Sequence, residues 1–489
     1  MVPGMSYIVL SEECVIRNEK KCSYLVRINK AANVSKMSFD TLQIPPFMGY
    51  IFANIGLYPI PECYEKIAKE LGVAPYAIKK FITQLLECKE SQKFEINDNY
   101  SIVLPIGLVK ISNQPESRTF KTVPDFSAND EFICKRPDIP FSVNLMTTTA
   151  CCTDCIYCYA DRSIKEILST DEILSLLDDW HNEGVVNVTL TGGDLMMRSD
   201  WPILMKKIIS YGYNHFISTK TPLKDAEIKY LVNLGFKEIQ FSLDTIDPII
   251  SEKMVKGGVN YLCNVERMFN LCSKNGIDVQ VRTVVTKLNG SEEYMKGLYE
   301  FLSKHKCVKS WDITPAFFSG YKKEIYKDIA PDNEDLKWAF NFSRNRNLKF
   351  PVSTSKINEN GYNLKTCSTT GDFVCRNQIC LANVTAISIL ANGKCTICEM
   401  IYQDPAYILG DVKNNTIRDI WNSEKALNFY NPDQEKFPSD SPCRNCKDFG
   451  ECRKEYGKRV CYSDICKTGL RVFDPDPRCP LSQDMDYIL

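Results

Sequence analysis

Histidine is scarce in this chain: His181, His215 and His305 are the only three among 489 residues. This scarcity argues against histidine-rich zinc and non-haem iron sites. The 60 basic and 61 acidic side chains nearly cancel, so the charge balance indicates neither a nucleic-acid surface nor a basic membrane anchor. No run of about 18 apolar residues occurs, and the opening MVPGMSYIVLSEEC lacks the pattern of a signal peptide. We therefore expect a cytoplasmic protein without nucleic-acid or membrane partners.

Cysteine, in contrast, is abundant. The chain has 23 cysteines, and 11 of them lie between Cys367 and Cys479. In a reducing compartment cysteines stay unpaired, so this abundance favours metal binding or catalysis over disulfides. Because histidine is scarce, a bound metal would be held by thiolates. The region after residue 350 shows little periodicity, and bound metal could stabilise it.

Residues 1–105 are predicted to form a winged-helix-like α+β domain. The segments YIVLSEECVIRN and SYLVRIN alternate like strands. PECYEKIAKELG and APYAIKKFITQLLECK have apolar residues at helical spacing, and Gly72 stands where the first of these helices would end. KFEINDNYSIVLP is typical of a hairpin. The second helix has few cations, which makes a DNA-binding role weak.

Residues 106–140 are polar and interrupted by proline, which predicts a linker that partly packs on its neighbours. Between residues 141 and 350, helical stretches alternate with six strand-like segments, which are FSVNLMTT, VVNVTLTGG, HFISTK, EIQFSLD, DVQVRTVV and SWDITPA. This alternation predicts a parallel sheet with right-handed crossovers, either doubly wound or closed as a full or partial α/β barrel. Chemistry is then expected at the carboxyl ends of the strands.

Three cysteines follow the first of these strands at the spacing C-x3-C-x2-C: Cys151, Cys155 and Cys158. Three thiolates on one loop suit a [4Fe–4S] cluster, whose fourth iron would stay open to another ligand. A structural zinc site needs four ligands and would require a partner elsewhere. Using Cys152 in place of Cys151 breaks the spacing.

The motif, with Tyr157 before its last cysteine and a strand before its first, resembles the radical S-adenosylmethionine (SAM) superfamily over roughly residues 140–316. The resemblance implies a partial (β/α)6 TIM-type barrel and a [4Fe–4S] cluster that binds SAM. The chain has Asp194 where the family has glutamate in its Gly-Gly-Glu motif, and it has Lys220 in a segment that resembles the one bordering SAM in that family. The positions that it implies around SAM are Tyr157, Gly192, Gly193, Asp194, Ser218, Ser242, Asp244 and Arg282.

The cysteines after residue 350 follow a second family pattern. Cys380, Gly393 and Cys398 form C-x12-G-x4-C, and C-x2-C-x5-C begins at Cys443. This order resembles the SPASM extension of radical SAM enzymes and implies a cluster-binding domain over residues 351–489 with two auxiliary [4Fe–4S] clusters. The implied ligands are Cys375, Cys380, Cys398 and either Cys461 or Cys466 for the first cluster, and Cys443, Cys446, Cys452 and Cys479 for the second. Cys395 fits no ligand position, and two zinc knuckles are the alternative.

The order of these regions resembles maturases of cysteine-rich ribosomal peptides, with a PqqD-like recognition element at the front. The resemblance implies a precursor peptide with a leader that adds as a strand, to which SYLVRINK could present an edge. We expect a 5′-deoxyadenosyl radical to initiate intrapeptide thioether formation, with Glu399 taking a substrate proton and an external flavodoxin or ferredoxin supplying electrons. Two alternatives stay open: an enzyme that generates formylglycine anaerobically, and a zinc-binding regulatory protein.

Overall fold

The structure is a computed structural model with two compact units. One unit comprises Met1–Asp138 with Trp180–Val186, and the other comprises Ile139–Asp179 with Asn187–Leu489. The residues that the structure describes are 5–28, 39–97, 100–116, 119–120, 126, 133–160, 162–213, 215–318, 323–355, 357, 359, 380–401, 404–454, 460–477 and 479–482.

The first unit contains a sheet in the order β4-β3-β2-β8, a β1-β7 pair and a β5-β6 hairpin. Strands β2, β3 and β4 are antiparallel, and β8 runs parallel to β2. Apolar side chains of three helices pack with those of the strands in one core. The elements are β1 (Tyr7–Leu10), β2 (Cys14–Asn18), β3 (Ser23–Ile28), β4 (Phe39–Ile44), α1 (Pro46–Asn54), α2 (Glu62–Leu71), α3 (Pro75–Glu87), β5 (Gln92–Asn97), β6 (Tyr100–Leu104), β7 (Val109–Ser112) and β8 (Thr119–Phe120).

Several sequence predictions for this unit hold. Helices α2 and α3 form where the apolar spacing indicates them, and Gly72 ends α2 with a left-handed φ of 66°. The hairpin joins β5 and β6, although its turn lies outside the described residues. The described elements thus include helices followed by a hairpin, and the winged-helix assignment stays a prediction.

One expectation for this unit is wrong. β3, which is formed by SYLVRI, is not an edge strand, because β2 pairs with one side of it and β4 with the other. The segment 106–140, predicted as a linker that partly packs on its neighbours, contributes β7, which pairs with β1 from Tyr7 to Leu10. The apolar residues Val109 and Leu108 explain this pairing, since both are buried in the core of the unit.

The second unit begins with a partial TIM-type barrel, and all six predicted strands are present. Strands β9 and β10 pair in parallel, and β11 to β15 form a parallel sheet in chain order. The elements are β9 (Ser142–Met146), α4 (Thr170–Glu183), β10 (Asn187–Thr191), α5 (Trp201–Ser210), β11 (Ser218–Thr219), α6 (Asp225–Asn233), β12 (Glu238–Ser242), α7 (Pro248–Val255), α8 (Tyr261–Asn275), β13 (Asp278–Val285), α9 (Glu292–Leu302), β14 (Val308–Pro315), α10 (Lys323–Ile329), α11 (Asn333–Ser343) and β15 (Val352–Thr354).

The cysteine-rich region adds three strands to the sheet that contains β9 and β10. Its first strand, β16, pairs in parallel with β9, so that Ile389 lies beside Leu145. The elements of this region are β16 (Ala386–Ile389), β17 (Lys394–Thr396), β18 (Ile408–Asp411), α12 (Ile417–Trp421), α13 (Glu424–Tyr430), two short 3-10 helices (Gln434–Lys436 and Pro442–Asn445), a π-helical turn (Gly450–Lys454) and α14 (Tyr462–Lys467). Across the described part of the chain, no helix has the length and apolar character required to cross a bilayer.

Candidate active site

The three cysteines of the C-x3-C-x2-C motif lie on a loop, residues 151–158, that follows the carboxyl end of β9; we call it the cluster loop. The Thr153 hydroxyl lies 3.4 Å from Cys151 Sγ and 3.4 Å from Cys155 Sγ. The Cys158 amide donates to the Cys155 carbonyl at 3.1 Å. The motif is therefore folded into a compact turn at the end of the barrel where parallel sheets place their chemistry.

The environment of the cluster loop lowers the pKa of one of its thiols and raises the pKa of others. A hydrogen bond with the Cys152 thiol, together with the Thr153 hydroxyl, lowers the pKa of Cys151 to about 6. The same hydrogen bond raises the pKa of Cys152. Burial raises the pKa of Cys155, and the nearby Lys220 ammonium opposes that rise. The two adjacent thiols thus titrate together, and the thiolate is the form that binds metal.

Gly192 and Gly193 follow β10 and lie against the backbone that leads into the cluster loop. The Gly193 amide donates to the Thr148 carbonyl at 2.7 Å. A Cβ on Gly193 would lie 2.2 Å from the Ala150 carbonyl oxygen, and one on Gly192 would lie 2.4 Å from the Thr148 carbonyl oxygen. Gly192 also has a φ of 148°. Both positions therefore need glycine so that the two backbones can approach closely.

Asp194, predicted to meet the SAM amino group, is already held by several donors. Its Oδ2 accepts from the Thr219 hydroxyl at 2.7 Å, the Lys220 amide at 2.9 Å, and the Thr221 amide and hydroxyl at 3.0 and 2.8 Å. Its Oδ1 accepts the Met196 amide at 3.0 Å. A carboxylate oxygen of Asp194 lies within 4.8 Å of both the Cys151 and Cys152 sulfurs. Asp194 thus joins the ends of β10 and β11 beside the cluster loop.

A buried triad links the cluster loop to the ends of β11 and β12. The Lys220 ammonium donates to Asp244 Oδ2 at 2.6 Å and to the Tyr157 hydroxyl at 2.8 Å. The Tyr157 hydroxyl in turn donates to Asp244 Oδ2. Burial, followed by the Asp244 charge, raises the pKa of Tyr157 well above its ordinary value. The sequence assigned Tyr157 and Asp244 separately to SAM and gave no sign that Lys220 joins them.

The other predicted SAM-binding side chains bond to one another across neighbouring strands. The Ser218 hydroxyl donates to Gln240 Oε1 at 2.5 Å, and Gln240 Nε2 donates to the Ser242 hydroxyl at 3.0 Å. Arg282 Nε on β13 lies 3.2 Å from Asp312 Oδ2 on β14. The Arg282 side chain remains 40% exposed, so it has surface available to a ligand. These SAM contacts stay predictions.

The first predicted auxiliary ligand group is placed in part. Cys375 lies outside the described residues. Burial raises the pKa of Cys398 to about 11, with smaller contributions from Glu399 and Cys380. Cys461 precedes α14 and Cys466 lies within it. The charge of Lys467, which is next to Cys466, opposes the rise that burial causes in the pKa of both Cys398 and Cys466. The choice between Cys461 and Cys466 stays open.

Glu399, the residue after Cys398, lies beside the residue that follows the cluster loop. Its carboxylate is hydrogen-bonded to the phenol of Tyr159, the residue after Cys158. Burial raises the pKa of Glu399, and the Tyr159 hydrogen bond opposes that rise. Apolar side chains support the contact, since Leu390 and Ala391 pack with Met146 and Ala160 in one cluster. Cys395, which matched no ligand position, is fully buried on β17.

The second predicted ligand group converges on one pocket. A small pocket is lined by this group and by charged and apolar neighbours. The lining residues are Cys443, Cys446, Asp448, Phe449, Cys452, Arg453, Pro475, Asp476, Cys479 and Leu481. Four thiols on one small pocket are the donor set that a [4Fe–4S] cluster or a tetrahedral metal requires.

Buried polar atoms without hydrogen-bond partners support this fit. Five such atoms in the described part of the chain belong to the cysteine-rich region. They are Thr396 Oγ1, Tyr407 OH, Arg453 Nε, Ser463 Oγ and Ser482 Oγ. Buried donors are normally satisfied, and thiolate or sulfide sulfurs accept hydrogen bonds. Among these residues, Arg453 contacts a predicted ligand directly, because its Nη2 lies 3.5 Å from Cys443 Sγ.

Two family models match this chain. Residues 145–302 match the Radical SAM superfamily, and residues 380–447 match SPASM, described as an iron–sulfur cluster-binding domain. The chain therefore carries a radical SAM domain followed by a SPASM domain. The predicted cofactors, SAM and [4Fe–4S] clusters, are confirmed at the level of these two domains.

Individual relatives cover different parts of the chain. A probable GTP 3′,8-cyclase of Methanococcus maripaludis is 29% identical over 155 residues, which are 30% of this chain and 48% of that protein. The chain thus spans about half the length of the cyclases that it matches. The mycofactocin maturase MftC of Mycolicibacterium smegmatis is 21% identical over 352 residues, 70% of this chain and 83% of MftC.

A solved structure matches over most of the chain. Streptococcus suis SuiB, determined with its precursor peptide SuiA, superposes with a TM-score of 0.62 at 16% identity. The superposition covers 97% of this chain and 100% of SuiB. At this identity the likeness shows a shared fold.

Proposed function

We propose that this chain is a radical SAM maturase that installs intrapeptide thioether crosslinks in a ribosomally synthesised precursor peptide. The observation that carries the proposal is the packing of the SPASM domain against the radical SAM domain, in which β16 pairs with β9 and Leu390 and Ala391 pack with Met146 and Ala160. Glu399, the residue after Cys398, is close enough to the Tyr159 phenol for that phenol to lower its pKa. A substrate held between these two domains would meet both sets of cysteines.

The described cysteines have distinct roles in this proposal. Cys151, Cys155 and Cys158 hold the cluster that binds SAM, and the pocket between Cys443 and Cys479 holds an auxiliary cluster. Cys380 and Cys398 hold the first auxiliary cluster, completed by Cys375 and by Cys461 or Cys466, so that the pocket holds the second. When bound, these cofactors supply the 5′-deoxyadenosyl radical that takes a hydrogen atom and the iron–sulfur centres that accept an electron.

Thioether formation removes a hydrogen atom from a substrate carbon, a proton from a cysteine thiol and one electron, and it forms a sulfur–carbon bond. Glu399 is proposed to receive the proton, since it lies next to Cys398 and its carboxylate is fixed by Tyr159. A positioned carboxylate within reach of its substrate is a suitable general base. The triad of Tyr157, Lys220 and Asp244 keeps the cluster loop in place.

The first unit is proposed to bind the leader of the precursor. Its sheet ends at β4 among the described residues, and an edge strand offers unpaired backbone groups to a peptide. The match to SuiB over nearly the whole chain, with MftC over 70% of it, supports a peptide substrate, because SuiB was determined with a precursor peptide and MftC is a maturase by name. The electrons are proposed to come from an external flavodoxin or ferredoxin.

The test begins with iron, sulfide and zinc per chain after anaerobic reconstitution. Three four-iron clusters give about 12 irons, falling to about 8 in a Cys151/Cys155/Cys158→Ala variant. If a neighbouring gene encodes a short cysteine-rich peptide, that peptide is then incubated with enzyme, SAM and reductant. We expect each crosslink to remove two hydrogen atoms and one alkylatable thiol, as read by mass spectrometry. Zinc without iron would support the regulatory protein instead, and an aldehyde product would support formylglycine formation.

A further inference from the structure

Arg453 is a buried cation beside the cysteine pocket. It is 1% exposed, and its Nη2 lies 3.5 Å from Cys443 Sγ. The same nitrogen donates to the Asp474 carbonyl at 2.6 Å, and Nη1 donates to the Val472 carbonyl at 3.3 Å. The guanidinium therefore has a fixed position with one edge directed at a predicted cluster ligand.

The surroundings of Arg453 leave its charge without a carboxylate partner among the described residues. Its guanidinium carbon lies 5.2 Å from the Phe437 ring centroid and 5.6 Å from that of Tyr462. Its Nε has no hydrogen-bond partner. A buried cation is costly unless an anion is near it. Because the guanidinium edge faces Cys443, the anion that balances its charge is expected in the pocket.

The pocket, in turn, needs a cation. A four-iron cluster held by four thiolates is an anion, and the carboxylates of Asp448 and Asp476 line the same pocket. Arg453 is the one basic side chain among the described lining residues. A nearby positive charge and a hydrogen bond to a ligand sulfur both favour the reduced, more negative form of a cluster, so both raise its reduction potential.

We propose that Arg453 is a positioning residue of the second auxiliary cluster, which hydrogen-bonds the Cys443 sulfur and sets the reduction potential of that cluster. The inference rests on the proposed function, because it requires the pocket to hold iron and sulfide. None of the family patterns that identify the cysteines includes this arginine.

The experiment uses the full chain with Cys151, Cys155 and Cys158 replaced by alanine, so that only auxiliary clusters remain. Arg453→Met, Arg453→Lys and the control Arg444→Met are made in this background. Arg444 lies in the same cysteine-rich region as Arg453, and it also donates to two backbone carbonyls, those of Glu435 and Phe437. Each protein is reconstituted, its iron is counted, and its clusters are titrated with reductant under electron paramagnetic resonance.

We expect Arg453→Met to keep about 8 irons and to shift one midpoint potential to more negative values by a tenfold change in the reduction equilibrium, which is about 59 mV for one electron. Arg453→Lys should shift it less, and Arg444→Met should leave it unchanged. Loss of four irons from Arg453→Met with retention in Arg453→Lys also supports the charge requirement.

Two other results would overturn the inference. Unchanged potentials with full iron in Arg453→Met would mean that the arginine does not tune the cluster, while the proposed function would stand. Equal loss of iron from the Met and Lys variants would show that only the bonds to the carbonyls of Val472 and Asp474 matter. If the parent variant itself binds no iron, the proposed function fails before Arg453 is tested.

Discussion

The Lys220 ammonium lies 2.6 Å from Asp244 Oδ2 in a pair whose side chains are 12% and 1% exposed. The Tyr157 hydroxyl bonds both partners. This pair therefore ties the ends of β11 and β12 to the cluster loop through a tyrosine that directly precedes Cys158. Asp244 Oδ1 accepts the Val284 amide at 2.9 Å, so the carboxylate is held on both sides and belongs to the framework of the site.

Replacing Lys220 by methionine should destabilise the second unit. The change leaves the Asp244 carboxylate buried and without its cation, and breaking a buried pair in this way costs about 3–5 kcal/mol. The apparent Tm of the metal-free chain, followed by circular dichroism, should fall by several degrees. Lys229→Met is the matched control, because Lys229 is 62% exposed in its pair with Asp225. Exposed pairs contribute about 0–1 kcal/mol.

The double variant Lys220→Met/Asp244→Asn should recover much of that loss. Asparagine removes the buried charge and keeps the oxygen that accepts the Val284 amide. Removing both partners of a buried ion pair is often close to neutral. A double variant as unstable as Lys220→Met alone would show that Lys220 stabilises the loop through Tyr157 and not through Asp244.

Gly193→Ala should damage the cluster loop without removing any ligand. The added Cβ would lie 2.2 Å from the Ala150 carbonyl oxygen, so backbone must shift. Overpacking costs about 1–3 kcal/mol, and we expect loss of the about four irons bound by Cys151, Cys155 and Cys158. Gly297→Ala in α9 is the control, since its Cβ meets nothing within 4 Å. Alanine within a helix should instead stabilise by about 0.5–1 kcal/mol.

The barrel was largely predictable from the sequence because its strands are apolar, regularly spaced and separated by helices. Helix α1 was missed: its sequence PFMGYIFAN is apolar on all sides and so lacks the amphipathic spacing that reveals a surface helix. Gly49 within it packs against β3, where a Cβ would lie 2.0 Å from Ser23 Oγ. Such packing depends on the partner strand and leaves no local pattern.

The candidate site was likewise predictable from the sequence in part. Cysteine spacing located the cluster loop and the pocket, because short spacings fix which thiols can meet. Pairs that are distant in sequence could not be found, since Lys220 and Asp244 come from different strand ends and Arg453 belongs to no motif. The edge assigned to β3 was wrong because β4 follows it in the chain and pairs with it, which the sequence did not reveal.

Cys152 is predicted to be dispensable for iron binding. The motif spacing excludes it as a ligand in place of Cys151, although its side chain is hydrogen-bonded to that of Cys151. Cys152→Ala should keep about 12 irons per chain after reconstitution, whereas Cys151→Ala should reduce the count by about four. Iron and sulfide analysis of the two variants, side by side, gives the answer. Equal losses would mean that the cluster requires both thiols, and iron retained in both variants would mean that either thiol can serve as the ligand.

Glu399→Gln should slow crosslinking while leaving every cluster in place. Glutamine keeps the shape and can still bond the Tyr159 phenol, but it cannot accept a proton, and losing a general base costs about 10²–10⁴-fold in rate. The measurement is single-turnover product formation by mass spectrometry, with iron content and 5′-deoxyadenosine release determined on the same samples. Deoxyadenosine should continue to form, because radical generation precedes the proton loss.

Two further variants make this last prediction specific. Glu424→Gln changes a SPASM-domain glutamate whose side chain is 84% exposed, and it should react at the parental rate. Tyr159→Phe removes only the hydrogen bond that fixes Glu399, so its rate should fall between those of the parent and Glu399→Gln. Normal crosslinking by Glu399→Gln would assign the proton to another acceptor. Loss of iron in that variant would instead indicate that Glu399 supports the cluster next to Cys398.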